Sequence, residues 1–309
     1  DHKELALKGK FLTTIVRDVP LKLDMKKAEF WRYNRSEVVE SLTELEFFSM
    51  VQRIPDVQDC ENTVDSDDIP VRREREPIYT TVTTQAGLDS LLTALNSSQV
   101  FSFDIETTGL NPMETQLVGL SFATLPNRGW YVPVGHIDGV QLSLDQVLDA
   151  IRPVMTRQTV SKVAHNANFD LTVLYNYGIQ VTNLVFDTML AAHVSGRKAI
   201  SLKALALECL HVEMTPISEL IGTGKNQITM ADVAIDRAAP YAAADADVTL
   251  QLYFVFQEEM EGGKCKEAFD AVEMPLVPVL VRMQMEGIAL DVNGLGRMSE
   301  ELDGQISRI

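Results

Sequence analysis

Residues 101–110 read FSFDIETTGL, an apolar run with the character of a buried strand that nevertheless carries Asp104 and Glu106 two positions apart. Successive strand side chains alternate between faces, so these two carboxylates point the same way and stand side by side. Left alone, they repel. Two remedies exist: one carboxyl keeps its proton through a raised pKa, or a divalent cation sits between them and neutralises both. Charged residues are rarely buried without a partner, and no basic residue lies in this strand. The pair is therefore hard to explain as structure alone.

Outward from this stretch the chain reads as an α/β unit. Before it, IYTTVTT (78–84) alternates like a strand and AGLDSLLTALNSS (86–98) has a helical pattern. VFSFDIE (100–106), QLVGLSFATL (116–125) and RGWYVPV (128–134) follow as three closely spaced strands, with Gly109, Asn111 and Pro112, then Pro126 and Asn127, as turn residues. SLDQVLDAIRPVM (143–155) predicts a helix capped by Ser143, and TVSKVAH (159–165) another strand. From about Asn168 helices are expected to dominate through LYFVFQEEM (252–260). Strands first and mostly antiparallel, then strands separated by helices, give one mixed sheet covered by helices.

The flanks differ in kind. Residues 1–55 hold evenly mixed charge and the amphipathic pattern SEVVESLTELEFFSMVQRI (36–54), expected to form a helix with Ser36 as its cap. DVQDCENTVDSDD (56–68) is acidic and without periodicity, and with the mixed run after it reads as a solvated linker over 56–76. Beyond Gly262 and Gly263 a further apolar helical pattern runs through EAFDAVEMPLVPVLVRMQMEGIALD (267–291).

The 309 residues carry a net charge of −17, with 46% hydrophobic and 23% charged residues. Taken at face value that charge argues against a nucleic-acid partner, since phosphate binding rests on Lys and Arg. Total charge does not report local fields, however, and bound divalent cations reverse the field where they sit. The apolar runs are far short of a bilayer span and no basic-then-apolar leader opens the sequence, so a cytoplasmic chain free of membrane is expected. Cys60, Cys209 and Cys265 are scattered and suggest neither a disulfide framework nor a zinc site.

Two further acidic residues stand out by context. In HNANFDLTVLYNYGI (165–179), Asp170 falls early in a helix that follows directly on a strand, with Asn166 four residues ahead. In APYAAADADVTLQLY (239–253), Tyr241 and Asp245 share one helical face while Asp247 is turned away. Alone, each has an ordinary explanation: an acid near a helix N-terminus, a solvated helix face, a half-buried aromatic.

Together, FDIETTGL, HNANFD and YAAADAD resemble the three motifs of the DEDD superfamily of 3′–5′ exonucleases in its tyrosine branch; the histidine branch is excluded because Pro240 stands where its histidine would fall. The flanking LKGKFLTTIVRDVPLKLD, SLKALALECL, GTGKNQ and VEMPLVPVLVRMQMEGIALD are similar to segments of bacterial family A DNA polymerases. This resemblance implies an RNase H-like, DnaQ-like mixed sheet flanked by helices. It implies four parts: a helical remnant of a 5′ nuclease domain at 1–55, the acidic linker at 56–76, the exonuclease domain at 77–262, and the start of the polymerase thumb at 263–309.

For chemistry, it implies proofreading hydrolysis of the terminal phosphodiester of single-stranded or frayed DNA, with two Mg²⁺ or Mn²⁺ ions held by Asp104, Glu106, Asp170 and Asp245. Tyr241 is assigned to the attacking water, and Thr107, Leu110 and Asn166 to the terminal nucleotide and its surroundings. The expected partners are a single-stranded 3′ end and the remainder of a polymerase chain, with the protein monomeric. Four carboxylates suit such hard cations. Arg197, Lys198, Lys203 and Lys225 form either a basic rim for the strand or a solvated loop, while Phe103, Phe169 and His165 are expected to pack. The alternatives are an RNase D-like exoribonuclease and a silent scaffold domain.

Overall fold

The computed structural model describes residues 3–16, 20, 33–45, 47–51, 54 and 77–308, so the acidic linker lies outside the described residues. The chain divides into two compact units, Asp1–Ile69 and Pro70–Ile309. In the first, helices α1 (Lys3–Thr13), α2 (Arg35–Glu44) and α3 (Phe48–Val51) are described. The single amphipathic helix expected over 36–54 is two helices: the Phe47 N–H bonds back to the Leu42 carbonyl at 2.8 Å and closes α2. Ser36 is not the cap. Asn34 precedes the helix instead, its carbonyl accepting from Val38 at 3.1 Å and its amide donating to Glu37 at 3.2 Å, and Asn is as good a residue there as Ser.

The second unit is built on a six-stranded mixed sheet in the order β1-β4-β3-β2-β5-β6. In chain order the elements are β1 (Ile78–Thr81), α4 (Gln85–Ser97), β2 (Val100–Thr107), β3 (Leu117–Leu125), β4 (Arg128–Pro133), α5 (Leu144–Met155), β5 (Ser161–Ala164), α6 (Ala167–Asn176), β6 (Leu184–Asp187), α7 (Thr188–Val194), α8 (Leu202–Leu210), α9 (Ile217–Ile221), α10 (Ile235–Met260), α11 (Lys264–Ala268), α12 (Met274–Glu286) and α13 (Val292–Ile306). β3 is antiparallel to both β2 and β4, whereas β1 runs parallel to β4 and β2, β5 and β6 run parallel to one another. Ser143 caps α5 as expected, accepting from the Gln146 N–H. β6 is a strand in the stretch where helices were expected to dominate; at four residues it is too short to show a period, and it is held by its parallel ladder to β5.

The two faces of the sheet are packed by different residues. One face is large and apolar, with Phe101, Phe103 and Ile105 of β2 joined to Leu88, Leu91 and Leu95 of α4, Val147 and Ile151 of α5, and Val277 and Val281 of α12. The other face is made of small residues. Gly119, Ser121 and Ala123 of β3 and Gly129 of β4 lie across from the alanines of α10, and Ser102 donates to the Ala246 carbonyl at 2.6 Å. A methyl group on Gly129 would stand 2.7 Å from the Ala243 carbonyl oxygen, so α10 lies against the sheet backbone itself. That close approach brings a helix-borne carboxylate up to strand-borne ones. Among the described residues no helix is long and apolar enough to cross a membrane.

Candidate active site

Asp104 and Glu106 project from β2 toward α10, opposite Ser121 and Gly119. The antiparallel ladder shifts register between Glu106 and Thr107, a bulge that ends the strand beside its acidic pair. From α10, Asp245 reaches the same place: one carboxylate oxygen from each of Asp104, Glu106 and Asp245 lies within 4.8 Å of the others. Glu106 is buried, and Asp245 is only 9% exposed. Asp170, buried in the first turn of α6, lies outside that group of three, but it is close enough for Asp104 and Glu106 to act on its charge.

Without a cation the arrangement is electrostatically unfavourable. Burial, reinforced by Asp245, holds the Asp104 carboxyl well above the usual carboxylate range. Burial, then Asp104 and Asp245, does the same to Glu106, against the pull of Lys203. Asp170 is raised by burial and by Asp104, and Asp245 is pushed up to about 7, again chiefly by burial. Oδ2 of Asp170 and Oδ1 of Asp245 are buried with no hydrogen-bond partner. Orphaned carboxylate oxygens beside an oxygen-only cluster fit a hard divalent cation, which would satisfy both the geometry and the charge.

Tyr241, one turn ahead of Asp245 on α10, lies close enough for its hydroxyl and that carboxylate to act on each other. Burial and the surrounding carboxylates raise its pKa, so the phenol stays protonated. Asp247 does turn away, as its spacing implies, but into the protein rather than into solvent. It accepts from Tyr79 at 3.0 Å, from the Asn127 N–H at 2.8 Å and from Gln251 at 3.0 Å, tying β1 and the β3–β4 turn to α10. A cavity of about 310 Å³ borders Tyr241 and Asp245, lined also by Tyr79, Val212, Met214 and Leu220.

The remaining expected residues take varied positions. Thr107 closes the bulge, its hydroxyl donating to the Gly109 carbonyl at 2.8 Å, and Leu110 beyond it is 94% exposed. Asn166 is exposed and left-handed, at φ 61°, and its side chain caps nothing. Phe103 is buried and Phe169 packs against the same core. His165 is half-buried and meets the Thr188 hydroxyl at 2.8 Å, and its pKa is pushed down to about 4, so the imidazole is neutral. The four basic residues do not act as a set. Arg197 is engaged with Glu208 and Glu259 and stacks on Phe256 at 5.1 Å, Lys198 and Lys225 are exposed, and Lys203 alone turns to the carboxylates, its ammonium 4.9 Å from the centre of the Tyr241 ring.

Two supporting residues have no counterpart in the sequence reading. Asp187, at the end of β6, caps α7 through the Met189 and Leu190 N–H groups and also accepts from Asn166 at 3.1 Å and Ala167 at 2.8 Å. It therefore pins the start of the helix that carries Asp170. Tyr131 of β4 bonds its hydroxyl to His136 Nε2 at 2.7 Å, while His136 Nδ1 meets the Val233 carbonyl at 2.8 Å. A methyl group on Gly119 would fall 2.2 Å from that Tyr131 oxygen, so glycine opposite Glu106 makes room for the ring. The only sequence trace of Asp187 is an acid directly before a helix.

Comparison with known proteins agrees with this geometry. A family model described as 3′–5′ exonuclease matches residues 79–261, more than half of the chain. The chain belongs to this family. It is 34% identical to the DNA polymerase I of Chloroflexus aurantiacus over 99% of its own length, and 33% identical to that of Pseudomonas aeruginosa over 98%. It spans 36% and 34% of those proteins, about a third of each. It is thus a 3′–5′ exonuclease domain of a family A DNA polymerase with its flanks.

Among solved structures, the POL domain of Pol1 from M. smegmatis, in complex with DNA primer-template and dNTP, matches with a TM-score of 0.58 at 18% identity, covering 74% of this chain and 36% of that one. Escherichia coli RNase D matches at 0.52 and 17%, covering 69% and 52%. At such identities these two show the shared RNase H-like fold and no more.

Proposed function

We propose that this site removes the terminal nucleotide from the 3′ end of single-stranded or frayed DNA, releasing a nucleoside 5′-monophosphate. The observation that carries the reading is the group of Asp104, Glu106 and Asp245, whose ligand atoms lie within 4.8 Å of one another, with the orphaned Asp170 oxygen beside it. Asp104, Glu106 and Asp245 would hold one Mg²⁺ or Mn²⁺ ion, and Asp104 with Asp170 a second. When bound, such a pair supplies a water acidic enough to ionise near neutral pH and positive charge for the departing 3′ oxygen.

The chain's own residues do the rest. Tyr241 keeps its proton, and its hydroxyl orients the Asp245 carboxylate and the nucleophilic water without acting as a base. Leu110, exposed at the rim, serves as the wedge against the terminal base; Thr107 and Asn166 line the approach. A strand has to arrive unpaired, because its last phosphodiester must reach a recessed site with its base splayed aside.

DNA rather than RNA is favoured because the relatives at 33–34% identity are all DNA polymerase I proteins, whereas the likeness to RNase D is one of fold alone. The flanks are read accordingly: 1–55 as a 5′ nuclease remnant, 77–262 as the exonuclease domain, 263–309 as the entry to a thumb, in a monomeric cytoplasmic enzyme. Initial rates on DNA and RNA strands of one sequence, with Mg²⁺ or Mn²⁺, test the assignment. Faster loss of 3′ nucleotides from DNA supports it; preference for RNA favours an exoribonuclease, and silence on both favours a scaffold.

A further inference from the structure

We propose that Lys203 receives a phosphate oxygen of the bound strand near its 3′ end, an assignment that rests on the nuclease reading above. Lys203 is the second residue of α8 and is only partly exposed. Its ammonium is held over the Tyr241 ring, 4.9 Å from the centroid, a placement that fixes a flexible side chain before any ligand arrives. Asp245, Glu106 and Glu219 are the acids that act on it most. Among the described residues it forms no ion pair or hydrogen bond that would use its three donors.

The charge balance of the site turns on what the carboxylates face. The first turn of α8 holds no acid, so the positive end of the helix dipole and the Lys203 ammonium add at one place. In the metal-free protein this positive charge is offset by the carboxylates across from it. Once divalent cations neutralise Asp245 and Glu106, the exposed Glu219 is the one of these three acids still acting on the ammonium. A phosphodiester brings a further anion. The neighbouring cation cannot do this work, since Arg197 is committed to Glu208 and Glu259.

The test is equilibrium binding of a 5′-fluorescein single-stranded oligodeoxynucleotide to the full chain in Ca²⁺, at several salt concentrations, with Lys203→Met and Lys203→Arg beside wild type. A parallel set of oligonucleotides carries a neutral methylphosphonate at one of the last few linkages. Lys203→Met is expected to weaken binding about tenfold, as for the loss of a charge-assisted hydrogen bond, and to reduce the salt slope by about 0.7. On the one methylphosphonate strand that lacks the contacted phosphate, wild type and Lys203→Met should bind alike, and Lys203→Arg should stay near wild type on unmodified DNA.

The proposal is overturned if Lys203→Met binds unmodified DNA like wild type. It is equally overturned if its loss is the same on every methylphosphonate strand, which would make Lys203 a support for Tyr241. Should Lys203→Met not fold, as judged by its melting curve, Lys203→Gln replaces it under the same criteria. Cleavage in Mg²⁺ separates the two readings: a wild type that shows the Lys203-dependent binding pattern yet leaves the strand intact sinks the nuclease reading alone.

Discussion

At the scale of single residues, the site is a set of carboxylates held where they would rather not be charged. In the unfolded chain these acids titrate near the ordinary value of about 4; in the folded chain Asp104, Glu106 and Asp170 sit well above it, and Asp245 near 7. The folded state therefore binds protons more tightly than the unfolded. Metal-free stability from this source is fully present below about pH 4 and is lost as the pH climbs through 7. Without divalent cation, Asp104→Asn should raise the unfolding midpoint by about 2 °C or more at pH 8 and hardly at all at pH 4.5. A gap of equal size at both pH values would contradict that. Tyr241→Phe removes the hydroxyl beside Asp245 and should lower kcat by about 10–100-fold, as for other groups that orient a metal ligand, with the melting midpoint little changed. The strand pair and the Tyr241–Asp245 spacing were legible because periodicity alone puts residues two apart on a strand, and four apart on a helix, on one face. The burial of Asp247 was not legible, since its partners Tyr79 and Asn127 come from elements more than 100 residues away in the chain.

At the scale of elements, the site depends on how closely α10 approaches the sheet and on what fixes the start of α6. Small residues on β3 and β4 permit the first. Gly119→Ala would drive a methyl group into Tyr131, and overpacking of this kind costs about 1–3 kcal/mol, to be read as a lower denaturation midpoint together with reduced cleavage, because Glu106 lies directly opposite. Asp187 provides the second. Asp187→Ala leaves four N–H donors without their acceptor and should cost about 2 kcal/mol or more, with a weaker response to Mg²⁺ as Asp170 loses its support; unchanged metal dependence would show that Asp187 serves stability only. The order of strands and the helices α4, α5 and α10 followed from alternation, turn residues and capping. β6 was missed because four residues carry no period, and the break between α2 and α3 because an apolar pattern persists across a turn that only the backbone bonds reveal.

At the scale of the whole molecule, two sequence stretches about 140 positions apart meet at one recessed point of an otherwise acidic protein, with Asp170 of a third close enough to feel their charge, and the net charge of −17 is no obstacle once cations fill that point. Composition alone pointed away from nucleic acid; the proposal of a DNA strand rests instead on the local arrangement of the carboxylates. Neither the convergence nor the loneliness of Lys203 among its basic neighbours could be seen in the sequence, because both depend on which side of α8 and α10 meets the sheet. The most direct test is digestion of a 5′-labelled single-stranded DNA by the full chain, resolved as a ladder. With Mg²⁺ or Mn²⁺ the wild type should shorten the strand one nucleotide at a time from its 3′ end, and either chelation or the double substitution Asp104→Ala with Glu106→Ala should leave it whole while the protein still melts cooperatively. A ladder that persists undiminished in the folded double variant, or a wild type that leaves the strand at full length with either metal, would contradict the account.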